Sequence, residues 1–332
     1  MKRKIIKQGH NTLTITLPSD WVKRFNLKAG EEISLLEKDN GLFLTTEKIN
    51  NPSEIEINVE NLSIPLIWKH VSSAYREGYD KIKVKFSPNT TYDSPYGFFA
   101  HYIIDPAFAQ KRKLSPQEFF QLLIDRFIGF EIMEERDDFC ILKQIGQSTS
   151  KEFDNSLRRI FLLLLYISEG IIKDVEKGSK SFLDNVHNVD IQVDKFHDFC
   201  TRVLNKTEFE QPLKTSLIFT LIYLLELVGD EFKHLAIQLR KKDAKDVNSK
   251  KISNSLDFIN EQLKIFYELY YKYDKEKLIA LLEMNEKFTS DEINKKNKYK
   301  EDVEVTIEAI NRYIYTLSEI LIEKQASISR SV

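Results

Sequence analysis

Glycine and proline are scarce, 10 and 8 among 332 residues, which argues against a loop-dominated or linker-rich chain and makes helix the expected majority structure. Cysteine is nearly missing. Cys140 and Cys200 stand far apart with no Cys-x-x-Cys spacing, so neither a disulfide framework nor a zinc ribbon is indicated, and a reducing cytoplasm is the expected location. Long apolar runs are lacking too. Ile160–Ile167 and Leu217–Leu225 are the longest, far short of the roughly 18 residues of a membrane span, and read as buried core helices. The basic N-terminus has no apolar stretch behind it, which argues against a secretory signal. No phosphate-binding loop, dinucleotide-binding glycine pattern, Ser-His-Asp order or His-Glu-x-x-His is found, so nucleotide-binding, serine-hydrolase and zincin readings have no support, and no enzyme is expected.

What is abundant is core material: 42% hydrophobic residues, with 22 Phe and 14 Tyr, enough for two or three folded domains. The net charge of −2 averages over unlike segments. The first 30 residues carry Lys2, Arg3, Lys4, Lys7, Lys23, Arg24 and Lys28 against Asp20 alone, a balance of 7 − 1 = +6. A basic module on a slightly acidic chain points to a polyanionic partner for that module.

Residues 1–48 alternate apolar and polar side chains from Asn11 to Leu17, then pass through Pro18-Ser19-Asp20 into the helically spaced Trp21, Val22 and Phe25. That predicts a strand and a short helix. Beyond Gly30, Ile33–Leu36 and Leu42–Thr45 flank Lys38-Asp39-Asn40-Gly41, a hairpin signal. So short a module buries little surface alone, and a homodimer is expected to supply the missing core. The ordered run Lys7-Gln8-Gly9, Leu13–Pro18, Trp21-Val22 and Leu27–Glu31 resembles the AbrB/SpoVT family of swapped-hairpin DNA-binding domains; one departure is Glu31-Glu32, where that family commonly has Asp. The resemblance implies two chains interleaved into one small β-barrel, with Lys2, Arg3, Lys4, Lys7, Lys23 and Arg24 on double-stranded DNA. The competing reading is a solvated, charged sheet edge. The same family includes antidotes of toxin pairs that bind a partner protein, usually with a short tail, whereas 332 − 48 = 284 residues follow here.

Residues 51–146 read as an α/β region: a strand over Ile55–Val59, a helix over Ile64–Tyr75, a strand over Lys81–Phe86, a helix over Pro116–Phe127, and two strands ending at Lys143 with Asp137-Asp138 at their turn. Gly78 is placed to stop the first helix. The stretch 87–113, rich in Tyr, Phe and Pro, reads as an inserted excursion. After a linker marked by Gly146, Ser148 and Ser150, residues 149–327 read as helices over 153–178, 181–205, 211–243, 252–274, 277–298 and 301–326. The polar stretch Arg240–Lys251 divides them into two sets of three, which suggests an internal duplication.

One helix face carries His187, Asp190, Asp194 and His197, spaced three, four and three; the next helix carries Glu226, Asp230 and His234, spaced four and four. Acids four apart repel one another on an isolated helix, and Glu226 and Asp230 interrupt an apolar run. A cation held between the helices would neutralise several at once. Oxygen ligands with an occasional imidazole suit Fe, Mn, Mg or Zn. Pairing with neighbouring Lys or Arg is the competing reading, and His187, His197 and His234 are expected beside rather than on the ion. Val189–Lys195 followed by Leu225–Asp230 resembles the paired acidic motifs of PhoU, a phosphate-signalling family built from two three-helix repeats. That implies a metal cluster on Asp190, Asp194, Glu226 and Asp230. In the second set, Glu308 is followed four residues on by Arg312, so a second cluster would be reduced at best, drawn from Glu304 and Glu308 or Glu283 and Glu286.

Together the three regions resemble archaeal phosphate-uptake regulators. The expected fold is multidomain: a swapped-hairpin β-barrel, a central α/β region and an all-α, PhoU-like pair of three-helix bundles. The expected function is a cytoplasmic, dimeric transcriptional regulator linked to phosphate uptake, with a metal-binding sensor domain. One alternative is an adaptor that acts on a phosphate transporter or signalling kinase without touching DNA. Another is a di-iron carboxylate enzyme, suggested by Asp194-x-x-His197 and Glu231-x-x-His234, although that chemistry needs Glu-x-x-His on two helices.

Overall fold

The chain divides after Pro52 into two units, Met1–Pro52 and Ser53–Val332. The computed structural model describes residues 2–9, 12–38, 41–45, 53–93, 113–146, 150–206, 212–242, 248–294 and 302–329.

In the first unit β1 (Ile6–Gln8) pairs antiparallel with β2 (Thr12–Thr14), and Gly9 adopts φ +76°, a left-handed conformation that suits glycine, in the turn between them. The helix α1 (Ser19–Arg24) follows, then the hairpin of β3 (Ser34–Lys38) and β4 (Gly41–Thr45), in register from Ser34 opposite Thr45 to Lys38 opposite Gly41. The expected hairpin is there, although its turn residues Asp39 and Asn40 lie outside the described residues. The strand expected from Asn11 to Leu17 is shorter, because its ladder ends at Thr14, the last residue with a partner on β1. Alternating residues beyond a ladder have no reason to stay extended. Within one chain α1 buries no residue, and Ile5, Ile6, Leu13, Ile15, Leu35 and Leu42 are all exposed.

The second unit begins with a sheet in the order β5-β6-β10-β9. β5 (Glu54–Asn58) and β6 (Lys81–Lys85) are parallel and joined by α2 (Ile64–Glu77), whereas β10 (Phe139–Gln144) runs antiparallel to both β6 and β9 (Phe130–Glu135). Gly78 ends α2 at φ +101°, as its position in the sequence suggests. Alternation sends Ile82, Val84, Cys140 and Leu142 into the core beneath α2 and α3 (Pro116–Ile124). It sends Lys81, Lys83 and Lys85 to the opposite face, where Lys81 meets Glu54 at 3.0 Å and Lys83 and Lys85 meet Glu56 at 3.4 and 2.6 Å. Ser115 and Glu118 cap α3 reciprocally. The short pair β7 (Tyr92–Asp93) and β8 (Lys113–Leu114) closes the base of the excursion, whose residues 94–112 lie outside the described residues.

Helices then take over: α4 (Ser150–Lys177), α5 (Val186–Lys206), α6 (Pro212–Lys241), α7 (Ser249–Tyr271), α8 (Lys275–Asn294) and α9 (Asp302–Ser329). The second helix starts five residues later than its apolar spacing predicts, for a reason seated in Asp174. That buried carboxylate accepts the backbone N–H groups of Phe182 and Leu183 at 2.7 and 3.0 Å and the Ser179 hydroxyl at 2.7 Å, holding 179–183 as a turn. Gly170 leaves room for the Phe182 ring, whose nearest atom is 2.1 Å from where a Cβ would stand. Asp174→Ala would strand two backbone donors and is expected to cost the second unit about 2–4 kcal/mol in a urea titration.

The first three of these helices pack together and so do the last three, but α4 against α7 and α6 against α9 fuse the sets. One core runs through Phe161, Leu225, Phe266 and Ile310. The α/β region is not a separate unit either, because α2 lies along α5 and Arg202 of α5 is fully buried between them. Its Nη1 donates to the Tyr75 carbonyl at 2.7 Å and its Nη2 to Gln144 Oε1 at 2.6 Å. Its guanidinium also faces the Tyr75 and Phe130 rings at 5.0 and 4.7 Å. By compactness the α/β and helical regions form one unit, Ser53–Val332, while residues 147–149 of the expected linker lie outside the described residues.

Candidate functional site

In the first unit Lys2, Arg3 and Lys4 precede β1, Lys7 lies on it, and Lys23 and Arg24 form the last turn of α1. All six are exposed, as is Lys28. Basic side chains on a helix's last turn also complement its dipole, so Lys23 and Arg24 are compatible with both folding and binding.

In the second unit the four acids singled out by spacing do come together. At Gly229 of α6 the helices stand at ordinary packing distance, a Cβ there being 3.4 Å from Leu164 and Val193 and 3.6 Å from Asp190 Oδ1. Lys233 reaches into the gap, its Nζ donating to Asp190 Oδ2 at 2.7 Å and to Asp230 Oδ1 at 2.5 Å. On the other side Arg126, just past α3, places Nη2 at 2.9 Å from Asp194 Oδ2 and 3.9 Å from Asp198 Oδ2. Arg76 adds a contact to Asp198 Oδ1 at 3.3 Å.

Five acids (Asp190, Asp194, Asp198, Glu226, Asp230) thus face three cations (Arg76, Arg126, Lys233), an excess of 5 − 3 = 2 negative charges. The excess shows in the titration. Burial, then repulsion from Asp194, pushes Asp190 up to about 7, and burial, then Asp230, pushes Glu226 up to about 7. Asp194 is raised by burial against the pull of Arg126 and Lys233. Lys233 moves the opposite way: burial works against its charge, but Asp190 and Asp230 outweigh it and hold the ammonium protonated above the ordinary lysine range. Of that pair, Lys233 stays charged and Asp190 is the member that takes a proton.

The histidines divide. His187 has both ring nitrogens buried without a hydrogen-bond partner, and burial, with Lys233 and Arg126 nearby, depresses it to about 4, so it is neutral. His197 is buried with its ring edge-on to Tyr223, Nδ1 at 3.5 Å from Asp198 Oδ1 and Nε2 without a partner. His234 is exposed and 3.7 Å from Glu231.

As arranged, these residues do not fit a metal ion. Among the described residues no three carboxylate, imidazole or thiol groups converge on a point that would hold one. The acids expected to hold a metal, Asp190, Asp194, Glu226 and Asp230, here form a mixed-charge cluster: the Lys233 ammonium stands between Asp190 and Asp230, and the Arg126 guanidinium engages Asp194. In the second set of helices Glu304 is bonded to Lys251, and Glu283 and Glu286 are exposed. Sequence reasoning missed Lys233, Asp198, Arg126 and Arg76. Two of these had a local signal, since Lys233 stands three residues after Asp230 and Asp198 continues the four-residue spacing of Asp190 and Asp194. The arginines come from another region, and no spacing announces them.

A pH dependence follows from Asp190. Its folded-state value lies above its unfolded one, so the native state holds the extra proton between about pH 4 and pH 7, and stability falls as pH rises through that window. The second unit is expected to lose on the order of 3 kcal/mol between pH 5 and pH 8 from this group. Urea titrations across that range should show the slope, and Asp190→Asn should reduce it by Asp190's share, leaving the part that Glu226, also raised to about 7, contributes.

Residues 6–52 match the family model described as "Antidote-toxin recognition MazE, bacterial antitoxin". The first unit is similar to that family. The likeness covers the paired strands, α1 and the β3–β4 hairpin, and leaves Ser53–Val332 without a counterpart. No curated protein and no solved structure matches the chain. Among the described residues no helix is long and apolar enough to cross a membrane.

Proposed function

We propose that this chain is a DNA-binding regulator that works as a homodimer, with the first unit on duplex DNA and the helical region as the part that receives a signal. One observation carries the reading: seven exposed basic residues stand on a small β-rich unit similar to MazE-type domains, a class that binds DNA and dimerises. The exposed Ile5, Ile6, Leu13, Ile15, Leu35 and Leu42 support the dimer, since a second copy would cover a face that one chain leaves open. The contact is with phosphates, so affinity falls steeply with salt, by a log–log slope of about 0.9 for each phosphate neutralised. Binding isotherms of the full chain on a labelled duplex at several salt concentrations test this, and a flat salt dependence would overturn it.

We infer further that the signal is phosphate status, on the likeness of the acids on α5 and α6 to the paired motifs of PhoU. Mapping bound DNA across the genome in high and low phosphate tests that step separately; identical occupancy in both would remove phosphate and leave DNA binding standing. A second reading is recognition of a partner protein through the same exposed apolar face, favoured by the matched family's description. Salt-insensitive capture of a protein with no retention of DNA would support it.

A further inference from the structure

The acids on α5 and α6 lie where a divalent ion could bridge the two helices, and the residue that decides against one is Lys233. Its Nζ lies 2.7 Å from Asp190 Oδ2 on α5 and 2.5 Å from Asp230 Oδ1 on α6, so a single ammonium already spans both helices. Its side chain is only 16% exposed. An ion bound to the same two oxygens at about 2.1 Å would fall within the ammonium's own contact distance. There a double positive charge beside a single one, away from bulk water, is strongly repelled. Asp194 and Asp198 offer no way round. Arg126 holds Asp194 Oδ2 at 2.9 Å with the Trp68 ring beside it at 5.1 Å, and Arg76 engages Asp198 at 3.3 Å. These cations all come from the chain itself, so the helices are crosslinked without anything taken from solution.

We propose that Lys233 is a tethered counter-ion, which takes the place of a divalent ion between Asp190 and Asp230 and keeps these acids closed to metal from solution. The resemblance to PhoU implies a metal cluster on the same acids; the charge of Lys233 sets this chain against that expectation. An ammonium suits the arrangement better than an ion does. It satisfies two carboxylates through its own N–H donors, whereas Zn, Mg or Mn fills a shell of four or more ligands, and among the described residues no three such groups converge on a point. The site is nevertheless latent. Without the ammonium, Asp190 and Asp230 would face each other across two helices with no cation between them, and His187 has both ring nitrogens without a hydrogen-bond partner. One positive charge keeps it shut. The inference stands apart from DNA binding by the first unit, and it leaves phosphate as a signal untouched while removing metal at this place.

The test uses the untagged full chain, stripped with a chelator and equilibrated with Mn²⁺ or with Zn²⁺, and counts bound metal by elemental mass spectrometry. In each background the site's share is the metal lost when Asp190 and Asp230 are both replaced by Asn, which sets aside ions held elsewhere. The wild type is expected to have no such share. Lys233→Met should gain about one acid-dependent ion per chain and bind Mn²⁺ about a hundredfold or more tightly than the wild type does. Its melting temperature should rise on adding Mn²⁺, while that of the wild type stays where it is. Lys233→Gln repeats the measurement with a different side chain should Lys233→Met fail to fold, and far-UV circular dichroism checks the helices before each count. Lys233→Arg keeps the charge and should stay closed. The proposal is overturned if the wild type holds an acid-dependent ion, if neither Lys233→Met nor Lys233→Gln gains one, or if Lys233→Arg gains one as they do.

Discussion

The variant with Lys4, Lys7, Lys23 and Arg24 all replaced by alanine is expected to bind duplex DNA about a thousandfold more weakly than the wild type at low salt. All four side chains are exposed, on the lead-in to β1, on β1 itself and on the last turn of α1. A dimer would present each of them twice, and each cation that neutralises a phosphate releases a condensed counterion, so the losses accumulate while the salt dependence flattens. None of the four is an apolar residue of the face assigned to the dimer. The variant should therefore sediment as the wild type does, which separates lost binding from lost assembly. Fluorescence anisotropy on a labelled duplex gives both affinity and slope. Equal affinities would show that these charges serve only to solvate the sheet, and recognition of a partner protein would become the leading reading.

Arg202→Ala is expected to destabilise the second unit by about 4 kcal/mol, several times the effect of a typical surface substitution. The side chain is fully buried, and burial pulls its pKa down while the nearby Asp80 carboxylate helps hold it charged. Removing it opens a cavity between the Tyr75 and Phe130 rings and takes a donor from the Tyr75 carbonyl and from Gln144, which keeps Lys206 at 2.9 Å. Arg202→Lys should recover little, because an ammonium cannot reach both acceptors and stack on two rings at once. Urea unfolding followed at the helical circular dichroism signal measures the loss. A change below about 1 kcal/mol would mean that the α2–α5 seam is held by its apolar packing and its other polar ties, such as Arg76 on Asp198.

Local patterns carried much of this architecture. The two-residue alternation of Ile82 and Val84, the stop at Gly78 and the helical spacing of the last six helices are each written within a few residues of where they act. Acids four apart likewise marked Asp190, Asp194, Glu226 and Asp230 as neighbours across two helices. Long-range contacts were not legible. Arg126 stands 68 residues from Asp194, and Arg202 stands 127 from the Tyr75 carbonyl it holds, so neither pairing leaves a periodic trace. The charge balance of the cluster met the same limit: spacing reveals where negative charge gathers, whereas Arg76 and Arg126 come from chain brought in from another region. Lys233 was within reach, three residues beyond Asp230, but a lone lysine on a helix ordinarily reads as solvated surface.

The outer strands of the four-stranded sheet, β5 and β9, bear on how crowded molecules of this protein behave. Among the described residues neither has a neighbour on its outer side. β5 displays Glu54 and Glu56, and β9 displays Glu131, Glu134 and Glu135. A strand offered by another copy at either rim would meet charged side chains, Glu54 and Glu56 with their lysine partners at β5 and Glu131, Glu134 and Glu135 at β9. Open backbone of this kind is ordinarily where chains adhere and fibrils begin. Here the charged side chains on both rims make such growth costly.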